Sequence, residues 1–387
     1  MRGEPLFHIV KRNDISIKKG LLIRAITLGV GLILSSIFLS IVCKGNPFMF
    51  FSNLFIGNFG SKRKIWILLR DTSLLLGVGL ALIPAFKMKF WNLGGNGQIL
   101  IGCLVSIMYM VVMGKAGVAD IFIVLTMIPA SILAGAIWAL LPAIFKAFFN
   151  TNESLFTLMM NYIAVGLVGV YLTSTVKDGS GTLGTVKTGH IGEIGNPYLL
   201  TIIIVAILVI FMNIYLKYTK QGYELTVVGE SQNTAKYVGI NVKFVIFRTM
   251  AISGAICGLI GLLIAGAIDH SITAESAKNM GFTAIMVAWL AKFNPLIMIG
   301  TSFFISFLSR GMDQVQSEFN ITSTAASDIV IGVIYFVIIG VEFFINYQII
   351  FNFKKNKKRI DLQNEVQSLA GEQSEEDLNI EENKEEN

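Results

Sequence analysis

Apolar residues in this chain fall into long runs broken by short polar stretches, and the runs show neither the strict alternation of strands nor the single apolar stripe of a soluble helix. Ten runs cross or nearly cross the roughly 20 residues that about 30 Å of hydrocarbon requires: 21–43, 66–86, 97–114, 119–145, 155–176, 198–216, 244–268, 281–291, 295–309 and 326–350. Helices are the expected form, because each satisfies its own backbone hydrogen bonds where no water is present. The run at 281–291 is too short to span unless it extends into 271–280, so a broken or re-entrant helix is expected there. The pattern predicts an all-α polytopic helical bundle occupying 21–350, with an N-terminal segment 1–20 and a tail 351–387 outside it.

Composition agrees with the pattern. Apolar residues make up 54% of the chain and charged ones 14%, and mean hydropathy is +0.68, which leaves too little polar surface for a soluble domain of 387 residues. Run 21–43 exceeds a signal-peptide core in length and is read as retained. With ten crossings both ends lie on one side, and that side collects nineteen Lys and Arg against nine in the opposite loops. Cations favour the cytoplasmic face, so both termini and the loop 217–243 are expected there. The net charge of +6 is then accounted for by anionic lipid headgroups, and no nucleic-acid partner is expected. Cys43, Cys103 and Cys257 sit in or beside apolar runs and read as buried small side chains, while His8, His190 and His270 show no ligand spacing. No metal is expected. From Asp361 the tail turns acidic and polar, the composition of a disordered segment.

The polar stretch from Lys217 to Arg248 is too hydrophilic for a bilayer. Within it, Gln232 to Gly239 suits a short helix started by Ser231 and ended by Gly239. Its sequence, an aromatic after Gly222, then Val-Gly, Ala-Lys-Tyr and Gly-Ile-Asn-Val, resembles the cytoplasmic coupling loop of ATP-binding-cassette importer permeases of the simple-sugar and nucleoside class, in the branched-chain amino acid permease superfamily. Three further elements carry the same resemblance. Phe90 to Gly102 is similar to an Asn-x-Gly-Gly-x-Gly-Gln element of that class, with Asn96 standing where a Glu is common. Asn152 to Tyr162 is similar to its Asn-Glu…Thr-Leu-Met-x-Asn-Tyr element, and Asn152 is suited to cap a helix beginning at Glu153. Gly281 to Pro295 is similar to a Gly-Phe-Thr half-helix ending in Asn-Pro.

Each element also has a reading of its own. Adjacent glycines followed by Asn96-Gly97-Gln98 suit an unwound stretch whose amides line a polar path; the Walker spacing is absent, so this is no phosphate loop. Thr157 and Asn161 share one helix face, either gluing helices together or facing a cavity. Gly281 permits a break, and a half-helix start could offer amides to hydroxyls or base acceptors. Residues and resemblance together mark Asn92, Gly94, Gly95, Asn96, Gln98, Thr157, Asn161, Gly281, Phe282 and Thr283 as lining the substrate pathway. The coupling loop is carried by Gly222, Tyr223, Glu224, Gly229, Glu230, Ala235 and Gly239. The Gly-rich stretch 176–196 faces the opposite side and is either the contact for an extracytoplasmic binding protein or a plain flexible loop. Segments 73–102 and 253–282 share an apolar helix followed by a Gly-rich break, a hint of internal duplication.

The resemblance implies a permease subunit with no catalytic residue and no cofactor of its own, ATP being used by a separate cytoplasmic ATPase. It implies three protein partners: a second permease, the ATPase and an extracytoplasmic substrate-binding protein. The alternative is an ion-coupled secondary transporter. Such proteins place ionisable groups within the bilayer, whereas Asp71, Asp120, Asp328 and Glu342 lie near helix ends or at places the sequence does not fix. An integral membrane enzyme ranks last, since no paired-carboxylate or nucleophile constellation appears.

Overall fold

A computed structural model of the chain describes residues 46–176 and 183–318 continuously, the strands 7–11 and 347–351, and scattered positions within 26–37 and 332–340. The runs at 21–43 and 326–350, and the acidic tail, lie largely or wholly outside the described residues. The chain divides into two units, residues 1–47 with 328–387, and residues 48–327. In the first, β1 (Phe7–Lys11) pairs antiparallel with β2 (Tyr347–Phe351), so the last residues of run 326–350 are strand rather than helix.

The second unit is helical throughout its described regular structure. Its elements are α1 (Pro47–Phe59), α2 (Lys62–Lys87), α3 (Gly95–Lys115), α4 (Asp120–Phe149), α5 (Glu153–Thr175), α6 (Leu199–Tyr218), α7 (Lys220–Glu230), α8 (Gln232–Tyr237), α9 (Val242–Leu262), α10 (Met280–Leu290) and α11 (Pro295–Glu318). A π-helical turn, Leu263–Asp269, prolongs α9. Seven of these helices are long and apolar enough to cross a membrane: α2 to α6, α9 with its extension, and α11. They correspond to seven of the ten expected runs. The thirteen-residue α1 was not anticipated; it is too short to span and packs on α11, where Asn58 Nδ2 donates to Phe307 O at 2.9 Å.

Helix starts follow local chemistry. Ser61, Asn152, Ser231 and Asn241 each accept, through a side-chain oxygen, the backbone N–H three residues on, at 3.1–3.2 Å. Lys87, Lys115, Lys146 and Lys217 occupy last turns, where the helix dipole favours a cation.

The core forms around α9. Gly254 and Gly258, four apart, face α4 so closely that a Cβ on either would strike the carbonyl oxygens of Gly135 or Ser131. Gly261 meets Ile99 O of α3 in the same way. In lipid, where burial of apolar surface between helices gains little, such small-residue seams let backbones approach and gain dispersion. In the most apolar stretches of α2 and α9, 67% of residues are buried, against 22% in α4. The outer face of α4, with Ile121, Leu125, Leu133 and Ile137 exposed, is therefore dressed for lipid.

Candidate functional site

The expected pathway residues converge on one hydrogen-bonded clasp. Residues 88–94 leave the helix between α2 and α3, and helix resumes at Gly95. Asn96, Gly97 and Gln98 are thus in the first turn of α3, not in an unwound stretch as the glycines suggested. Asn92 is fully buried: its Oδ1 accepts Gly94 N at 3.0 Å and Gln98 Nε2 at 3.2 Å, and its Nδ2 donates to Ser253 Oγ of α9 at 3.2 Å. From α5, Thr157 Oγ1 accepts Leu93 N at 3.1 Å while donating to Glu153 O. Asn161 Oδ1 accepts Gly97 N at 2.8 Å and its Nδ2 donates to Leu93 O at 2.8 Å. Asn161 lies about 12 Å along α5 from Glu153, and Ser253 about 16 Å along α9 from Val242, so the clasp sits well inside the bundle.

Asn96 extends the clasp to α10, its Oδ1 accepting Gly281 N at 2.7 Å and its Nδ2 donating to Asn279 Oδ1 at 3.3 Å. Gly281 is required for approach rather than for a break, since a Cβ there would come within 2.5 Å of Asn96 N. The left-handed backbone falls instead on Lys278 (φ 44°) and Asn279 (φ 53°), two non-glycine residues. The amides of Met280, Phe282 and Thr283 bond to Ala277 O and Asn279 O. With Gly281 N held by Asn96, the half-helix start has no spare amide for a solute, and exposed Phe282 and half-buried Thr283 are the surfaces it offers.

Residues 270–279 connect α9 to α10 without forming regular helix. At the upper end, Val186 N donates to His270 O at 2.9 Å, and the same segment reaches the far end of α3, where Thr188 Oγ1 donates to Met110 O at 3.1 Å. At the lower end Gly281 meets Asn96. The descent therefore runs about 21 Å beside α3. Irregular backbone at that depth is tolerated where protein covers it or a wet cavity runs beside it. Here Ile272, Ser276 and Ala277 are buried, whereas Glu275, Lys278 and Asn279 are exposed. The eighth expected crossing is thus broken: a non-helical half, 271–279, followed by α10. The expected break into 271–280 is present, but Glu275, Lys278 and Asn279 were not among the residues marked for the pathway.

At the other end of the bundle, α7 and α8 occupy the loop 217–243. Gly222 and Tyr223 lie on α7. Gly222 packs against Leu216 O and Tyr215 O, and Gly229 against Lys87 O, each too close for a Cβ. Glu224 pairs with Arg248 of α9 at 3.0 Å, both side chains largely covered. Ser231 starts α8, Ala235 is buried beneath it, and Gly239 (φ 83°) ends it. Glu230 is exposed. What α8 turns outward is Tyr237, 94% exposed, with Val238, 60% exposed.

With the clasped Gly-rich turn, the broken crossing and the outward-facing short helix described, the comparisons place the chain in a family. The model of the branched-chain amino acid transport system permease component matches residues 65–339. The chain belongs to that permease family. This permease is 29% identical over 300 residues to the guanosine ABC transporter permease protein NupP of Bacillus subtilis, covering 73% of this chain and 83% of that one. A second guanosine permease of that organism, NupQ, is 25% identical over 230 residues, 56% of this chain and 71% of its own. A glucose ABC transporter permease of Haloferax volcanii is 25% identical over 299 residues, 73% and 77%. The permease is accordingly a multi-pass membrane protein, similar to ABC permeases named for guanosine and for glucose.

Among the described residues no cluster of three or more His, Cys, Asp or Glu has metal-binding geometry. Cys103 and Cys257 are buried and reduced, Cys103 Sγ donating to Gly261 O. Asp71, the acidic residue well inside α2, is bracketed by Arg70 at 2.7 Å and Arg310 of α11 at 3.2 Å.

Proposed function

We propose that this permease forms half of the membrane pathway of an ATP-driven importer of nucleosides, working with a second, homologous permease, a cytoplasmic ATPase and an extracytoplasmic binding protein. Both termini and the α7–α8 pair face the cytoplasm in this reading, as the cation distribution favours. The observation that carries it is α8. A six-residue helix with Ala235 buried beneath and Tyr237 almost wholly exposed is a small rigid knob, and an exposed aromatic on a fixed scaffold is the usual anchor of a protein interface. Behind it, Gly229 on Lys87 O and Glu224 on Arg248 tie the knob to α2 and α9, which lead to the clasp through residues 88–94 and Ser253. Closure of the ATPase would move those helices and switch which side the central path opens to.

Solute would pass beside the exposed polar edge of 271–279, where Glu275, Lys278 and Asn279 supply both donors and acceptors, as a hydroxylated ring with polar edges needs. The similarity to two distinct guanosine permeases of one organism supports both the nucleoside assignment and the paired permease. The ion-coupled alternative loses ground because Asp71 is held between two arginines and Asp120 Oδ1 is occupied by Gly189 N.

The test is co-purification with the ATPase and binding protein in vesicles, followed by ATP hydrolysis with guanosine, other nucleosides and glucose supplied through the binding protein. Nucleosides should stimulate hydrolysis and be taken up. Stimulation by glucose alone would replace the substrate, and uptake at full rate without ATP would sink the mechanism.

A further inference from the structure

Outside the clasp and the α7–α8 pair, the segment 183–191 is held across the ends of three elements. Val186 N bonds His270 O (2.9 Å), Gly189 N bonds Asp120 Oδ1 of α4 (2.9 Å), and Ile191 N bonds Gly266 O of the π-helical turn (3.0 Å). Ser271 Oγ donates to Leu183 O, and Thr188 packs into the space left by Gly114 of α3. At the centre of these bonds the imidazoles of His190 and His270 lie face to face, centroids 3.7 Å apart and planes 7° from parallel. His270 sits in left-handed backbone (φ 48°), and its Nδ1 is buried without a hydrogen-bond partner.

We propose that this histidine stack is a proton-operated latch that holds segment 183–191 down when neutral and releases it on acidification. Two rings at this spacing attract by dispersion when uncharged. An added proton puts an imidazolium against its neighbour's face, and a second puts two like charges a few ångströms apart, where repulsion is strongest. The buried Nδ1 of His270 has no hydrogen-bond partner, so charging the docked ring carries a desolvation cost.

The charged groups on the packed elements are Lys187 and Glu193 near the strap, Asp269 beside His270, Asp120 on α4 and Lys115 at the end of α3. Burial first, and His190 second, push His270 below its ordinary value of 6.5; Asp269, the Gly266 backbone and Glu193 pull the other way and are outweighed. A base whose value is depressed in the docked state binds more protons when released. Docking is therefore complete above about 6.5 and weakens as pH falls through that value.

The compartment whose pH is sensed rests on the proposed orientation, but the latch does not. Hydrogen exchange on the purified subunit, with no ATPase or solute, reads it directly through the amides of Val186, Gly189 and Ile191. After correction for intrinsic exchange, their protection should fall between pH 7.5 and 5.5, while amides of α9 stay unchanged. His190→Phe, which keeps a stacked ring without a titrating nitrogen, and His270→Gln should each flatten that dependence. Constant protection across the range in the native protein would overturn the latch. So would an undiminished fall in both variants, or a loss of protection at every pH in both, which would assign the rings to packing alone. Because no transport is measured, such a failure leaves the importer reading to its own test.

Discussion

Asn161 reaches across from α5 and engages the Gly-rich turn with both ends of its amide, Oδ1 to Gly97 N and Nδ2 to Leu93 O, each at 2.8 Å. A side chain spent in this way is architecture for a pathway rather than a free ligand to solute. Asn161→Ala leaves a buried donor and acceptor unmet at about 1–3 kcal/mol each, so thermal unfolding of the detergent-solubilised protein should shift clearly downward. Uptake should fall with it. An unchanged melting temperature with lost uptake would move Asn161 from clasp to solute contact.

The glycine seam argues a sharper expectation. Gly258 of α9 sits against Ser131 O and Gly135 of α4, backbone that cannot yield as a side-chain tip can. Gly258→Leu should abolish folding and membrane accumulation, at a cost of several kcal/mol if the helices separate, whereas Gly166→Ala, at a site with nothing within 4 Å, should accumulate normally. Equal accumulation of both would contradict the packing of α9 on α4.

How much of this was legible in the sequence depends on what each feature needed. Seven spans were readable because 20 apolar residues in a row admit few other structures, and the start of one of them, α5, was marked by the cap Asn152. Ends were blurred where helices run on into polar residues: α11 continues to Glu318, well past 309, because Arg310 finds Asp71. The GxxxG spacing of Gly254 and Gly258 was visible, but its partner, Gly135, is over a hundred residues away. A break near 271–280 was legible because 281–291 is too short to span, but which of its polar residues stay exposed was not, since a polar stretch looks the same in bulk water and beside a protein-lined path. The stacking of His190 on His270 had no local signature at all.

Tyr237 and Gly229 separate docking from support. Tyr237 is 94% exposed, so Tyr237→Ala should leave folding and insertion intact yet weaken ATPase association by about 2 kcal/mol, a roughly thirtyfold loss in a pull-down titration. Gly229→Val should act differently, pushing α7 off Lys87 O and lowering stability as well. ATPase binding undiminished by both changes would remove the α7–α8 pair from the interface.

The exposed edge of the broken crossing makes the last expectation. Lys278 holds a left-handed backbone at φ 44° without glycine's freedom, a conformation that costs on the order of 1–3 kcal/mol and persists only when its surroundings enforce it. If Lys278 served only the turn, Lys278→Gly should relieve the strain and leave uptake at its native rate or above. If its ammonium meets solute on the path beside Asn279, the same change should raise melting temperature while lowering uptake, with ATPase association untouched. Stability and transport then move in opposite directions, an outcome that a merely structural lysine does not produce. The decisive measurement pairs thermal unfolding with nucleoside uptake for Lys278→Gly and Lys278→Arg, the latter retaining charge: the arginine variant should recover a large part of the uptake that the glycine variant loses.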